Sequence, residues 1–123
     1  MIMKQIVNMK KKYVYQLVNE NNIVEYIGES FNPQRRFREH KHNRTIPKSG
    51  MGKFVGRNDL RLEVLAEFDN PKDSFNYQCQ LQTKYFGINE RDVAKENGMK
   101  GKPFAYLGAI ERERRKRAGI INS

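Results

Sequence analysis

From Tyr13 to Val18 the chain reads Tyr-Val-Tyr-Gln-Leu-Val. A run so rich in β-branched and aromatic residues predicts a strand. Asn19-Glu20-Asn21-Asn22 interrupts it with a turn, because asparagine tolerates positive φ and bonds its own backbone. Ile23-Val24-Glu25-Tyr26-Ile27-Gly28 predicts a second strand. A link this short sets the two strands antiparallel, as a hairpin. The pattern then turns helical. Asn32 suits an N-cap and Pro33 the first helical position, and the helix runs to about His42 with Phe37 facing the core. Leu60, Leu62 and Val64 alternate with polar residues, which predicts a third strand over 60–65. Asn70-Pro71 repeats the first helix's opening. That second helix reaches Phe86 and stops at Gly87. Phe75, Cys79 and Phe86 fall on one of its stripes, and Gln82 lies on the same stripe.

The remaining segments are weaker in pattern. Residues 43–56 hold Pro47, Gly50, Gly52 and Gly56 and predict a loop with one helical turn around Met51–Val55. Residues 89–96 predict a short helix ending at Asn97-Gly98. Lys100-Gly101-Lys102-Pro103 reads as a basic hinge. Residues 104–117 predict a final helix with Phe104, Leu107 and Ile110 on one stripe. The sum is an α+β fold: a small three-stranded antiparallel sheet flanked by helices, with a basic C-terminal helix. Its expected divisions are a basic lead-in over 1–12, one domain over 13–98, and a basic hinge and helical tail over 99–123.

Charge adds a partner to this picture. Lys and Arg outnumber Asp and Glu by 24 to 14, a net charge of +10. Such a surplus draws polyanions, nucleic acid first among them. The basic residues gather in the first helix, with Arg35 and Lys41, and in the loop, with Arg44, Lys48, Lys53 and Arg57. A third group, Arg114, Arg115 and Arg117, lies in the tail. That last run reads equally as a solvated helix end favoured by the helix dipole or as a phosphate-binding tail. With Cys79 as its one cysteine the chain makes no internal disulfide. No apolar run approaches the ~20 residues that span a bilayer, and the N-terminal residues lack a secretory pattern. A cytoplasmic protein is expected, in a bacterial or phage-infected cell.

Tyr15 and Tyr26, on paired strands, are placed close together, and the following helix carries Arg35, Arg36 and His40 back over them. Arg36 and His40 are four apart and share a helix face. Gln82 raises a separate question. A polar group at a core-facing position needs a partner, because an unpaired buried amide costs about 1–3 kcal/mol. Two readings stand open: an amide bonded to backbone at the core edge, or a site residue.

These residues resemble the GIY-YIG nuclease family. Its first motif stands here as Tyr13-Val14-Tyr15, a departure that keeps the defining tyrosine. The second, Tyr26-Ile27-Gly28, is intact. The spacing between the tyrosines is usual for the family. Arg36 matches the family's catalytic arginine, and His40 falls where many members carry a polar or basic site residue. The likeness is strong over 13–42, weaker to about 97, and does not cover the tail.

The resemblance implies a DNA endonuclease dependent on one divalent ion, Mg²⁺ or Mn²⁺, acting on double-stranded DNA. By that likeness Tyr15 would be the general base or orient the water, and Tyr26 would bond the phosphate or nucleophile. Arg36 would clamp the scissile phosphate through paired hydrogen bonds. His40 would assist proton transfer or hold the first tyrosine. A free tyrosine titrates near ~10, so Tyr15 needs a nearby cation to act as a base at neutral pH.

The family holds its metal with a glutamate on the helix after the third strand, and residues 75–87 contain none. Gln82, followed by Tyr85 and Phe86, fits that position best, with Gln78 one turn earlier as second choice. A neutral glutamine keeps the oxygen and loses the charge that holds a hard cation. Either an inactivating Glu-to-Gln change was made at position 82, or a natural protein lost cleavage and kept binding. Asn97 stands where some members place a late site asparagine. A standalone phage or mobile-element nuclease fits the size, with modest sequence specificity. The rival is a non-catalytic DNA-binding or regulatory protein on this fold, and a third reading is a basic RNA-binding protein.

Overall fold

Three helices open with the same device, and the first two open where the sequence predicts. In the computed structural model, which describes residues 10–42, 54–97 and 116, α1 spans Pro33–His42, α2 Pro71–Phe86 and α3 Glu90–Asn97. Asn32 Oδ1 accepts the Arg35 N–H at 3.1 Å, Asn70 Oδ1 that of Lys72 at 2.8 Å, and Asn89 Oδ1 that of Asp92 at 2.9 Å. Each asparagine thus satisfies a donor that a helix start leaves without an intrahelical partner. Gly87 closes α2 at φ 78°, its N–H donating to the Thr83 carbonyl at 2.9 Å. That left-handed conformation favours glycine at a helix end.

The described residues fall into two compact units. The first holds residues 10–39 and 58–78. Its sheet consists of β1 (Lys12–Val18), β2 (Val24–Ser30) and β3 (Arg61–Phe68), antiparallel throughout in the order β2-β1-β3. The central strand is buried from Val14 to Val18. Tyr15 stands opposite Gly28 and Leu17 opposite Tyr26. Directly paired residues share a face, so these four lie on one side of the sheet. Val14, Gln16, Ile27 and Glu29 lie on the other.

The hairpin turn follows the expected chemistry. Asn22 sits at φ 63°, and Asn19 Oδ1 accepts the N–H groups of Asn21 and Ile23 at 2.8 and 3.1 Å. Arg61 ties β3 to the turn, donating to Asn22 Oδ1 at 2.9 Å, and bonds Glu63 at 2.7 Å.

The third strand differs from its prediction in both extent and exposure. It begins one residue later than expected and continues to Phe68. Val64, opposite Tyr15, is 44% exposed. The register slips between Val14 and Tyr15, so that Ala66 and Val64 are paired and Leu65 is passed over. An edge strand with a bulge bends away from a strict two-residue alternation. The apolar pattern therefore marks a strand here without marking a buried face.

The second unit holds residues 40–42, 54–57 and 79–97, with Lys116. Phe54, Cys79, Phe86 and Val93 are its buried apolar residues, joined by the buried polar residues His40 and Gln82. The predicted turn near 51–55 is present at its described end, where the Arg57 N–H donates to the Phe54 carbonyl at 3.2 Å. Of the predicted final helix, 104–117, only Lys116 is described; it is helical and exposed. The rest of that helix, most of the lead-in, the hinge, and Arg44, Lys48, Lys53, Arg114, Arg115 and Arg117 lie outside the described residues. Among the described residues no helix is long and apolar enough to cross a membrane.

Candidate active site

The sheet brings three of the predicted residues together in the first unit. Tyr15 and Tyr26 have ring centroids 6.0 Å apart, with planes tilted by 45°. The space between them belongs to Gly28. A Cβ added there would lie 2.7 Å from Tyr26 Cε2, 3.0 Å from the Tyr15 hydroxyl and 3.1 Å from the Tyr26 hydroxyl. Glycine is needed for close approach, because both phenol oxygens converge over its Cα. Arg36 reaches the same spot from α1: its guanidinium donates to the Tyr15 oxygen, and the Tyr15 hydroxyl is also hydrogen-bonded to Tyr26.

The electrostatics of the trio follow from burial. Tyr15 is 1% exposed. Desolvation is the largest influence on its phenol and raises the pKa, Tyr26 raises it further, and Arg36 lowers it; the result is well above the ordinary tyrosine value. Tyr15 therefore stays a neutral phenol at neutral pH, and Arg36 alone does not make it a base. Burial also works against the charge of Arg36. It is outweighed by the hydrogen bond to Glu39 and by the two phenols, so the pKa of Arg36 rises. The guanidinium is permanently cationic. Its Nη1 lies 3.0 Å from Glu39 Oε1, and both side chains are more than a third exposed. An exposed ion pair of this kind is weak and exchangeable.

The predicted residues of the second unit have partners of their own. His40 is 2% exposed and packs edge-on against Phe54, with ring centroids 5.7 Å apart at 75°. Gln82 is fully buried, and its Oε1 accepts the Glu90 backbone N–H at 2.9 Å. Of the two readings of this amide, the backbone bond is present: Gln82 ties α2 to the first residue of α3. Gln78, the second choice, is in the first unit. It is 2% exposed, and its Nε2 has no hydrogen-bond partner among the described residues. Arg35 is exposed, while Lys41 and Arg57 are half-buried.

These groups are a poor fit to a divalent cation. Hard cations of this kind take oxygen ligands, with carboxylates foremost. Among the described residues no three His, Cys, Asp or Glu side chains cluster as a metal site. At position 82 the oxygen is neutral and already accepts an N–H.

Two contributors were missed in the sequence. Glu39 was legible as an i,i+3 partner of Arg36 on the helix. Gly28 was counted as part of a motif, and its spatial reason needed the fold.

A three-stranded sheet presenting two phenols over one glycine, with a guanidinium brought to them by α1, defines the class: a small α+β domain with hydrogen-bonding groups and a fixed positive charge gathered at one point. The family model for the GIY-YIG catalytic domain matches residues 11–90, well over half of the chain. The chain belongs to the GIY-YIG family, whose members are nucleases and generally use divalent metal ions. No match was found among curated proteins or among solved structures.

Proposed function

We propose that this chain engages DNA phosphodiesters through Tyr15, Tyr26 and Arg36, and that its metal-dependent cleavage is impaired at position 82. The observation that carries this reading is the convergence of both phenols over Gly28, with the Arg36 guanidinium acting on Tyr15. Two phenols and a guanidinium match the non-bridging oxygens and developing charge of a phosphodiester. Hydrolysis forms a bond from water oxygen to phosphorus and breaks a phosphorus–oxygen ester bond, with a proton delivered to the leaving oxygen. Arg36 stabilises the phosphate charge. Tyr15, neutral at working pH, orients the water or phosphate by hydrogen bonding. The net charge of +10 supports a polyanionic partner, and a cytoplasmic setting is part of the same proposal.

The second reading is a DNA-binding or regulatory protein that does not cut. The bond from the Glu90 N–H to Gln82 favours it, since that oxygen already serves the backbone. A plasmid nicking assay in Mg²⁺ or Mn²⁺, on this chain and on Gln82→Glu, separates the two. The proposal expects weak nicking that rises with Gln82→Glu, together with a Mg²⁺-dependent rise in Tm in that variant only. Failure of both proteins to nick, with duplex binding intact, establishes the second reading instead.

A further inference from the structure

Beyond the trio over Gly28, one exposed aromatic residue stands on a rigid corner of the same unit. Phe31 is 42% exposed, although it follows β2 directly and precedes the cap of α1. The residues on both sides of it are fixed. Ser30 is in register with Tyr13, and the Asn32 N–H donates to Ser30 Oγ at 2.9 Å. Asn32 also caps the helix that carries Arg36. Neither ordinary core packing nor loop mobility accounts for an aromatic ring held out at this point.

Two cations attend the ring. Lys10 Nζ and Lys12 Nζ each lie 5.1 Å from its centroid. Lys12 is anchored: its Nζ is 2.8 Å from Glu29 Oε1, while Glu29 Oε2 accepts the buried Ser74 hydroxyl at 2.7 Å. Among the described residues Lys10 has no carboxylate partner, so the corner carries unbalanced positive charge.

We propose that Phe31, flanked by Lys10 and Lys12, is a stacking platform for an unpaired nucleobase on the Glu29 face of the sheet, opposite Tyr15 and Tyr26. The inference rests on the nucleic-acid reading above and names a feature of the substrate: a single-stranded, gapped or bulged position. Magnitudes favour the exchange. A base stacked on an aromatic side chain is held more strongly than an exposed cation–π contact holds a lysine. A base can therefore take the ring face from a lysine, and the released ammonium gains a phosphate. Side chains alternate across a strand, so Lys12, Glu29 and Phe31 share the face opposite Gly28, and a base bound there is held apart from the phosphate at the trio.

The test is binding of a single-stranded DNA oligonucleotide carrying 2-aminopurine, followed by fluorescence and by anisotropy, beside a duplex of the same sequence. Phe31→Ala should weaken single-strand binding about tenfold, remove the change in 2-aminopurine emission, and alter duplex affinity less than about twofold. Phe31→Trp should restore both single-strand signals. Lys10→Ala should lower the salt dependence by about one phosphate contact. An unchanged Tm keeps the comparison free of folding effects. If Phe31→Ala leaves single-strand binding unchanged, or weakens strand and duplex equally, the platform is refuted while the nucleic-acid reading stands. If the wild-type chain binds neither strand nor duplex, both fall.

Discussion

Tyr15 and Gln82 are both polar, both almost completely buried, and both predicted as site residues, yet their surroundings differ in kind. Tyr15 sits on the central strand, where its hydroxyl meets another phenol and a guanidinium whose other side reaches solvent. Its partners are side chains that a ligand can rearrange. Gln82 sits on a helix, and its oxygen holds a backbone N–H that starts the next helix. That partner cannot be released without disturbing α3. A buried polar group can be kept for chemistry or for architecture, and the identity of its partner tells which role it serves in the resting molecule.

The sharpest break in this comparison comes from Arg36→Ala. Removing one preorganised donor from a charged transition state costs about 10²–10³ in rate. Nicking by the Gln82→Glu background should fall by that factor, while duplex affinity measured by anisotropy changes little. Equal loss of cleavage and binding would make Arg36 a binding residue only.

Gln82→Leu tests the other half. It strands the Glu90 N–H, a loss of about 1–3 kcal/mol, read as a lower urea midpoint. Phosphate binding at the trio should be unaffected. Gln82→Glu keeps the acceptor and should cost less than the leucine when metal is present.

Gly28→Ala should be comparable in size but opposite in consequence. Its methyl would meet Tyr26 Cε2 at 2.7 Å and both hydroxyls near 3 Å, and overpacking of this kind costs about 1–3 kcal/mol. Here the loss should appear in cleavage as well as in stability, because the tyrosines must move apart.

Tyr15→Phe gives a smaller, pH-dependent effect. The folded pKa of Tyr15 is raised above the unfolded value near ~10. The stability linked to its proton is therefore complete below about pH 10 and lost as pH rises toward the folded pKa. Urea midpoints between about pH 9 and 11 should fall less steeply in Tyr15→Phe than in the wild type. The smallest effect should come from Glu39→Gln. An exposed pair contributes little, ~0–1 kcal/mol, so freeing Arg36 should raise nicking by the Gln82→Glu background only a few-fold.

The sequence determined the parts of this protein that local chemistry controls. Asn32-Pro33 and Asn70-Pro71 announced their helices because caps act within one turn. The asparagine-rich turn announced the hairpin because its bonds span only a few residues. The two tyrosines and Arg36 were legible because strand pairing and helix spacing are short-range rules, and all three lie within the family match over residues 11–90. Tertiary structure decided what depends on neighbours distant in sequence. It placed β1 in the centre of the sheet and left Val64 exposed at a bulged edge. It put burial ahead of Arg36 in setting the Tyr15 proton, because desolvation depends on everything packed around a group. And it gave the Gln82 oxygen a backbone N–H eight residues along the chain, which no spacing rule within one helix could have foretold.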